Sequence, residues 1–404
     1  MIGRVLEQRS ILIVLCLVFR ALDYFWPKDR DCIVFLGRRN MGYSDNSRYL
    51  FEKFLSLHND EIHVLWVTPE EDLLHDDSIG KDRRDHMVYL YSVRGIVSLL
   101  RARAVLLSWM PSGFPGADFS SRTVVIQLWH GIPIKRISLC QKGLSERQMA
   151  LAARELRKID YWICSSRLER DSLALCTGLP VDNLKITGYP RNDYLIENRD
   201  SGDARLLTRF PFIGKKVILY APTWRSNDKV KFFPFDDFSK DKLTSFLEAN
   251  DAYLLLRAHY GDDILALKGA VDYDAFEGGR VLVMNRDSIG DVQDILPFVD
   301  VLISDYSGVW LDYLLLDRPI IFVPYDLAMY ESTQGLLYDY DSITPGPKVR
   351  RFIELLSELE GYFADPHKGS IERNRTKCMF HEHDDGLAHK RIYELIKEAT
   401  SEAE

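Results

Sequence analysis

No stretch of this sequence stays apolar long enough to cross a bilayer. The apolar run Ile11 to Phe19 is nine residues, against the ~20 that a spanning helix needs. Cysteine is sparse: the six (16, 32, 140, 164, 176 and 378) show no Cys-x-x-Cys and no regular spacing. That excludes a disulfide framework and fits reduced thiols of a cytosolic chain. Positive charge is not in excess, since 52 Lys and Arg against 60 Asp and Glu leave a net −8. With no long basic run, a general nucleic-acid binder is excluded. Gly-x-x-x-x-Gly-Lys-Ser/Thr and Gly-x-Gly-x-x-Gly are both missing, which removes the main support for P-loop and dinucleotide readings. No short repeat or low-complexity segment occurs. Metal ligands are also poorly organised. His381-Glu382-His383-Asp384-Asp385 lies in a polar loop without a fourth ligand at suitable spacing, and Asp272-x-Asp274 and Asp339-x-Asp341 lack strand-end placement. No metal is expected.

What is present is a globular composition, 46% apolar and 28% charged, over 404 residues. That length favours two domains over one core. Short runs rich in Val, Ile and Leu alternate with helical patterns. Cys32 to Leu36, Ile62 to Val67, Ala104 to Ser108, Thr123 to Leu128, Asp160 to Ser165 and Leu184 to Thr187 form one series. Val217 to Ala221, Tyr253 to Leu256, Val281 to Met284, Val301 to Ser304 and Pro319 to Val323 form a second. Two series of strand–helix units predict an α/β protein with two parallel-sheet domains. The expected division is 27–195 and 196–380, with 381–404 a final helix returning to the first domain. Ligands of such sheets bind beyond the carboxyl ends of the strands, so a cleft between the domains is the expected site.

Residues 1–26 stand apart. Arg4 and Arg9 precede the apolar run, Arg20 follows it, and Tyr24, Phe25 and Trp26 close it. No small-residue cleavage site follows. Two readings remain open: a helix lying on the cytoplasmic membrane surface, or one packed against the first domain.

The polar motifs fall at strand ends. Asp300 leads the buried run Val301 to Ile303, and Ser304-Asp305-Tyr306-Ser307-Gly308 turns into a helix carrying Asp312. Ser304 and Asp305 are N-cap candidates. Ser307 and Gly308 are small enough to admit an anion to the backbone at the helix start. Ser44, Asp45 and Asn46 precede a helix and read equally as a plain cap. Trp129-His130-Gly131 follows a strand, where a histidine is suited to take up a proton near neutral pH. Lys135 and Arg136 come soon after. Arg191, in Gly188-Tyr189-Pro190-Arg191-Asn192-Asp193, is suited either to fork onto phosphate or to brace the turn through a carboxylate. Arg225 and His259 follow two strands of the second series.

Together these motifs resemble the CDP-glycerol glycerophosphotransferase family of teichoic acid synthesis. The resemblance runs in matching order over roughly residues 30–396. It includes Ala221-Pro222-Thr223-Trp224-Arg225, Arg257-x-His259, Asp317-Arg318-Pro319, Tyr330 to Gly335 with Gln334 and Gly335, and Asp385-Gly386. It implies a GT-B-like fold, two Rossmann-type domains facing across a cleft, with no required cofactor or metal. It also implies glycerol-phosphate transfer from CDP-glycerol, or CDP-ribitol, to a lipid-linked glycan at the cytoplasmic face of the membrane, releasing CMP. His130 then corresponds to the general base, and His259 to the group that stabilises the departing diphosphate charge. Arg225, Ser304 to Gly308, Asp312, Gln334 and Gly335 correspond to the donor site. Ser44, Asp45, Asn46, Gly131, Lys135, Arg136, Arg191, Asn192 and Asp193 correspond to the acceptor side or cleft. The short lead before the first strand favours a primase over a glycerol- or ribitol-phosphate polymerase. A nucleotide-sugar glycosyltransferase or UDP-sugar epimerase would share the architecture. The family usually has a second Ser where Gly308 stands.

Overall fold

The computed structural model describes residues 2–37, 42–58, 61–110, 118–200, 211–223, 231–257, 279–284 and 291–402, with side chains from residue 14 to 401. Two compact units form. The first comprises Met1–His130, Ser138–Asp193 and Asp385–Glu404, and the second Gly131–Ile137 and Tyr194–Asp384. Residues 131–137, which sequence reasoning gives to the first domain, therefore fold with the second.

The first unit is built on β1 (Cys32–Leu36), β2 (His63–Thr68), β3 (Met87–Tyr89), β4 (Ala104–Leu107), β5 (Val124–Gln127), β6 (Tyr161–Cys164) and β7 (Leu184–Ile186). All pair in parallel in the order β3-β2-β1-β4-β5-β6-β7. The strands read as continuous apolar runs because both sheet faces are covered; Val34, Phe35, Leu106 and Ile126 are fully buried. Strand β3 is the one the sequence did not mark. It has three residues, joins only β2 at the sheet edge, and carries no Val/Ile run.

Helix α1 (Ile2–Phe25) packs part of its surface against the rest of the first unit. Phe19 joins the core with Leu99 and Val105, and its ring meets Phe119 edge-on at 5.5 Å. The buried Asp23 carboxylate accepts from Ser120 N and Oγ and pairs with Lys28, itself bonded to Thr123. On the remaining surface Val14, Leu15, Leu17, Val18, Leu22 and Phe25 are exposed. No helix among the described residues is long and apolar enough to cross a membrane.

The chain closes the first unit with a helix from Ala388 to Glu402. Asp193 holds its start: Oδ1 accepts from Ala388 N (3.0 Å) and Oδ2 from His389 N (2.8 Å), with His389 Nδ1 2.8 Å from Oδ2. A carboxylate on unpaired N–H groups at a helix N-terminus is favourable both as a cap and against the macrodipole.

The second unit carries β8 (Lys216–Ala221), β9 (Ala252–Arg257), β10 (Val281–Met284), β11 (Val301–Ser304) and β12 (Ile320–Phe322), in the order β10-β9-β8-β11-β12. These pairings are likewise parallel. Its core packs Ile218, Leu254, Ile303 and Ile321 against Phe352 and Leu355. Each unit thus has the 3-2-1-4-5 strand order of a Rossmann-type sheet. In the first that order reverses between β1 and β4, in the second between β8 and β11. Ligands of open α/β sheets bind outside the carboxyl ends at such points.

Candidate active site

At the reversal point of the first unit, side chains stitch neighbouring strand ends together. Helix α2 (Asp45–His58) follows β1, and Ser47 Oγ lies 2.7 Å from Ser108 Oγ beyond β4. Asn46, fully buried, donates through Nδ2 to the carbonyls of Leu128 and Trp129, both at 3.0 Å. Its Oδ1 accepts from Arg191 N at 3.2 Å. The Arg191 guanidinium donates to His130 O at 2.7 Å and to Asp45 Oδ1 at 3.3 Å. Of the two roles open to Arg191, the brace is the one seen: it ties the Gly188–Asp193 segment to the Trp129–Gly131 turn.

That turn is strained. Trp129 has φ +51° and Gly131 φ +114°; for a bulky non-glycine residue the left-handed region is an outlier, costing on the order of 1–3 kcal/mol. The backbone of Trp129 is held at both ends, its N–H by Gln127 Oε1 (3.0 Å) and its carbonyl by Asn46. The strain turns the chain sharply at the end of β5. His130 is thereby half-buried, its Nδ1 3.3 Å from Ser108 O. A carbonyl only accepts, so Nδ1 carries the proton and Nε2 holds a lone pair. An imidazole in that tautomer is equipped to take a proton through Nε2.

Asn192 completes the cluster. It is 4% exposed, and neither Oδ1 nor Nδ2 has a hydrogen-bond partner among the described residues. A buried amide left unsatisfied is costly without a ligand or ordered water. Ser44 is half-buried just before α2. Two residues expected on the open side have structural work instead. Asp193 caps the C-terminal helix, and Asn46 is an internal pin, not an open donor.

In the second unit the corresponding stitch joins β8 to β11. Asp305 Oδ1 accepts from Thr223 N (2.7 Å), Thr223 Oγ1 (2.5 Å) and Tyr306 N (2.6 Å). Ser304 Oγ donates to Ala221 O at 2.9 Å. Ser304 and Asp305 are therefore not helix caps. They are buried and fix the strand ends, while Gly308 occupies the cap position of the short helix Val309–Tyr313 without a side-chain cap bond. The Tyr306 ring stacks on Tyr330 at 4.2 Å and its hydroxyl donates to Asp326 at 3.0 Å. Burial pushes the Tyr306 phenol well above its ordinary value, so it stays protonated. Asp312 is buried and receives Gln293 Nε2 at 3.0 Å.

Around Ser307 and Gly308 the second unit gathers the segment 131–137. Lys135 bridges Leu336 in antiparallel fashion, Arg136 N donates to Gly335 O (3.0 Å), and Leu337 N donates to Ile134 O (2.8 Å). Gln334 ends the helix before Gly335. A Cβ on Gly308 would stand 2.9 Å from the Ile132 carbonyl oxygen, although Gly308 has an ordinary φ of −64°. Space, not conformation, requires the glycine, and the serine usual in the family has no room here. Lys135 is exposed as a residue, yet desolvation around its side chain lowers its ammonium pKa. Lys135 and Arg136, expected on the acceptor side, belong by their bonding to the second unit. Arg225 and His259 lie outside the described residues. His381 is buried and donates through Nε2 to Leu311 O at 2.8 Å; burial lowers its pKa and keeps it neutral.

Gln127 and Trp109 are functional-site residues that sequence reasoning passed over. Both stand at ends of adjacent parallel strands, the same signal that marked His130. Neither belongs to a motif.

The chain is similar to several known proteins. A family model described as CDP-Glycerol:Poly(glycerophosphate) glycerophosphotransferase matches residues 18–398. A teichoic acid glycerol-phosphate transferase of Staphylococcus aureus is 27% identical over 91% of this chain and 93% of its own. A teichoic acid glycerol-phosphate primase of Bacillus spizizenii is 26% identical over 93% and 95%. A solved structure of the wall teichoic acid polymerase TagF matches with TM-score 0.75 at 23% identity, over 98% of this chain and 96% of that one.

Proposed function

The chain belongs to the CDP-Glycerol:Poly(glycerophosphate) glycerophosphotransferase family, and from that membership we propose that it moves glycerol phosphate from CDP-glycerol onto a hydroxyl of a lipid-linked disaccharide diphosphate. His130 Nε2 takes the hydroxyl proton. The acceptor oxygen attacks the phosphorus bearing glycerol, the bond from that phosphorus to the CMP oxygen breaks, and CMP departs. The products are CMP and a glycerophosphodiester on the acceptor, one addition per acceptor. In phosphoryl transfer, positioning and charge stabilisation supply most of the catalysis.

The observation that carries this reading is the strained Trp129–Gly131 turn, whose hydrogen bonds leave Nε2 of His130 as a base. The second unit supplies the donor side in this proposal, through the Ser307–Gly308 turn with Lys135, Arg136, Gln334 and Gly335. Ser304 and Asp305 act there by fixing the strand ends, and Asp312 is a donor-side carboxylate through its correspondence to the family motif. His259, through its correspondence to the family histidine, neutralises charge on the departing diphosphate, and Arg225 contacts phosphate. Asn192 is the buried amide left for the acceptor. The exposed apolar side of α1, with Arg20 beside it, suits the membrane surface on which a lipid-linked acceptor resides.

One experiment tests both parts. The protein is mixed with acceptor-bearing phospholipid vesicles and CDP-glycerol, CDP-ribitol or a UDP-sugar. CMP release and product mass are read, along with protein recovered on floated vesicles. Release of CMP from CDP-glycerol, one glycerol phosphate on the acceptor and co-flotation are expected. Turnover of the UDP-sugar alone contradicts the donor assignment, a ladder of additions contradicts the single transfer, and protein left at the bottom of the gradient contradicts the membrane surface.

A further inference from the structure

We propose that Trp109, tied to Trp129 through Gln127, is a positioning residue that clamps the His130 imidazole. This rests on the reading of His130 as the base. The Trp109 ring lies 4.2 Å from the imidazole, centroid to centroid, with 14° between their planes. The Trp129 ring lies at 3.9 Å and 33°. The Trp109 ring is thus stacked on the imidazole and the Trp129 ring tilted against it, and in the proposed clamp the two form opposite walls. Its remaining edge is anchored by Nδ1 on Ser108 O.

The walls of the sandwich are connected. Gln127, fully buried at the end of β5, accepts from Trp129 N (3.0 Å) and donates to Trp109 O (3.2 Å). One amide therefore sets the spacing of both indole-bearing residues. Trp129 is backed in turn by Trp162, ring centroids 4.8 Å apart.

The chemical consequence concerns charge. A neutral imidazole gains only stacking from two indole faces. Once it has taken the acceptor proton it is a cation between two electron-rich faces, and the attraction grows as the charge develops. An interaction stronger in the transition state than before it raises kcat. The Arg191 guanidinium donates to the His130 carbonyl and pairs with Asp45. The side chains contributed by β5, β6 and the end of β4 (Gln127, Trp162 and Trp109) carry no charge.

The test is the pH dependence of CMP release from CDP-glycerol by full-length Trp109→Leu, Trp109→Phe and His130→Ala variants, with the same vesicle-borne disaccharide diphosphate acceptor. Removing one indole face destabilises the imidazolium, so the ring sheds its proton at lower pH. For Trp109→Leu, the acid limb of the kcat/KM profile is expected to move down by about half to one pH unit. Its kcat is expected to fall roughly ten-fold with KM for CDP-glycerol little changed. Trp109→Phe, which retains a stacking ring, should restore both kcat and the limb. A leucine variant with the parent kcat and limb overturns the clamp, and so does a phenylalanine variant as slow as the leucine one. His130→Ala separates the layers. If it still turns over, the base reading fails; if it is inactive while Trp109→Leu behaves as the parent, only the clamp fails.

Discussion

His130→Ala is expected to lower CMP release by a factor of about 10²–10⁴, the range that a positioned general base contributes, while CDP-glycerol binds within about two-fold of the parent. The split follows from where the groups sit. The proposed donor contacts are carried by the second unit, by the turn at Ser307 and Gly308 and the segment 131–137 that bears Lys135 and Arg136. His130 ends the first unit, and its side chain contacts Trp109, Trp129 and Ser108. Truncating the half-buried ring removes the proton acceptor together with its Nδ1 contact to Ser108 O, both in the first unit. Paired measurements of calorimetric CDP-glycerol binding and CMP release check this. Loss of binding equal to loss of turnover would mean that His130 holds the donor instead.

Asn46→Ala has the largest expected effect on the scaffold. Nδ2 of Asn46 satisfies two buried carbonyls and Oδ1 one buried amide, so truncation orphans three backbone groups. Each unsatisfied buried group costs about 1–3 kcal/mol. Release of Trp129 from its left-handed conformation returns about a third of that sum, since the strain is on the order of 1–3 kcal/mol. A net loss of about 2–6 kcal/mol follows, seen as a fall of roughly 5–20 °C in the unfolding transition of the first unit. Activity should fall further than stability. A relaxed turn moves the imidazole, and a displacement of about 1 Å can cost on the order of 10²-fold in rate. Asn46→Asp keeps the volume but sets a carboxylate against two carbonyls, so it should be at least as damaging. Thermal unfolding with steady-state kinetics on both variants tests this; an aspartate variant close to the parent would show that Asn46 merely fills space.

How much of this was legible in the chain depends on the kind of signal. Buried parallel strands announce themselves as Val/Ile/Leu runs, so the two sheets could be read directly, except for Met87–Tyr89, whose short edge position needs no such run. His130 was legible because a polar residue directly after an apolar strand is conspicuous. The roles of Asp193, Ser304 and Asp305 were not. Side-chain bonds to residues 82 or more positions away decide them, as between Asp305 and Thr223 or Asp193 and Ala388. Local capping rules see only the next few residues. The allotment of 131–137 to the second unit was hidden for the same reason, since its partners are Gly335 to Leu337. Gln127 and Trp109 read as ordinary strand-end residues until Gln127 is seen bonded to both Trp109 and the positive-φ Trp129.

The central claim is that the turn at Trp129 presents His130 with its proton on Nδ1 and its lone pair on Nε2. The direct measurement is the tautomer of that ring in the resting full-length protein by nitrogen-15 NMR, with the His130→Ala variant identifying the signal. At a pH above the acid limb of the rate profile, a protonated Nδ1 and a bare Nε2 are expected. A proton found on Nε2 instead would leave no base at the end of β5 and would contradict the account.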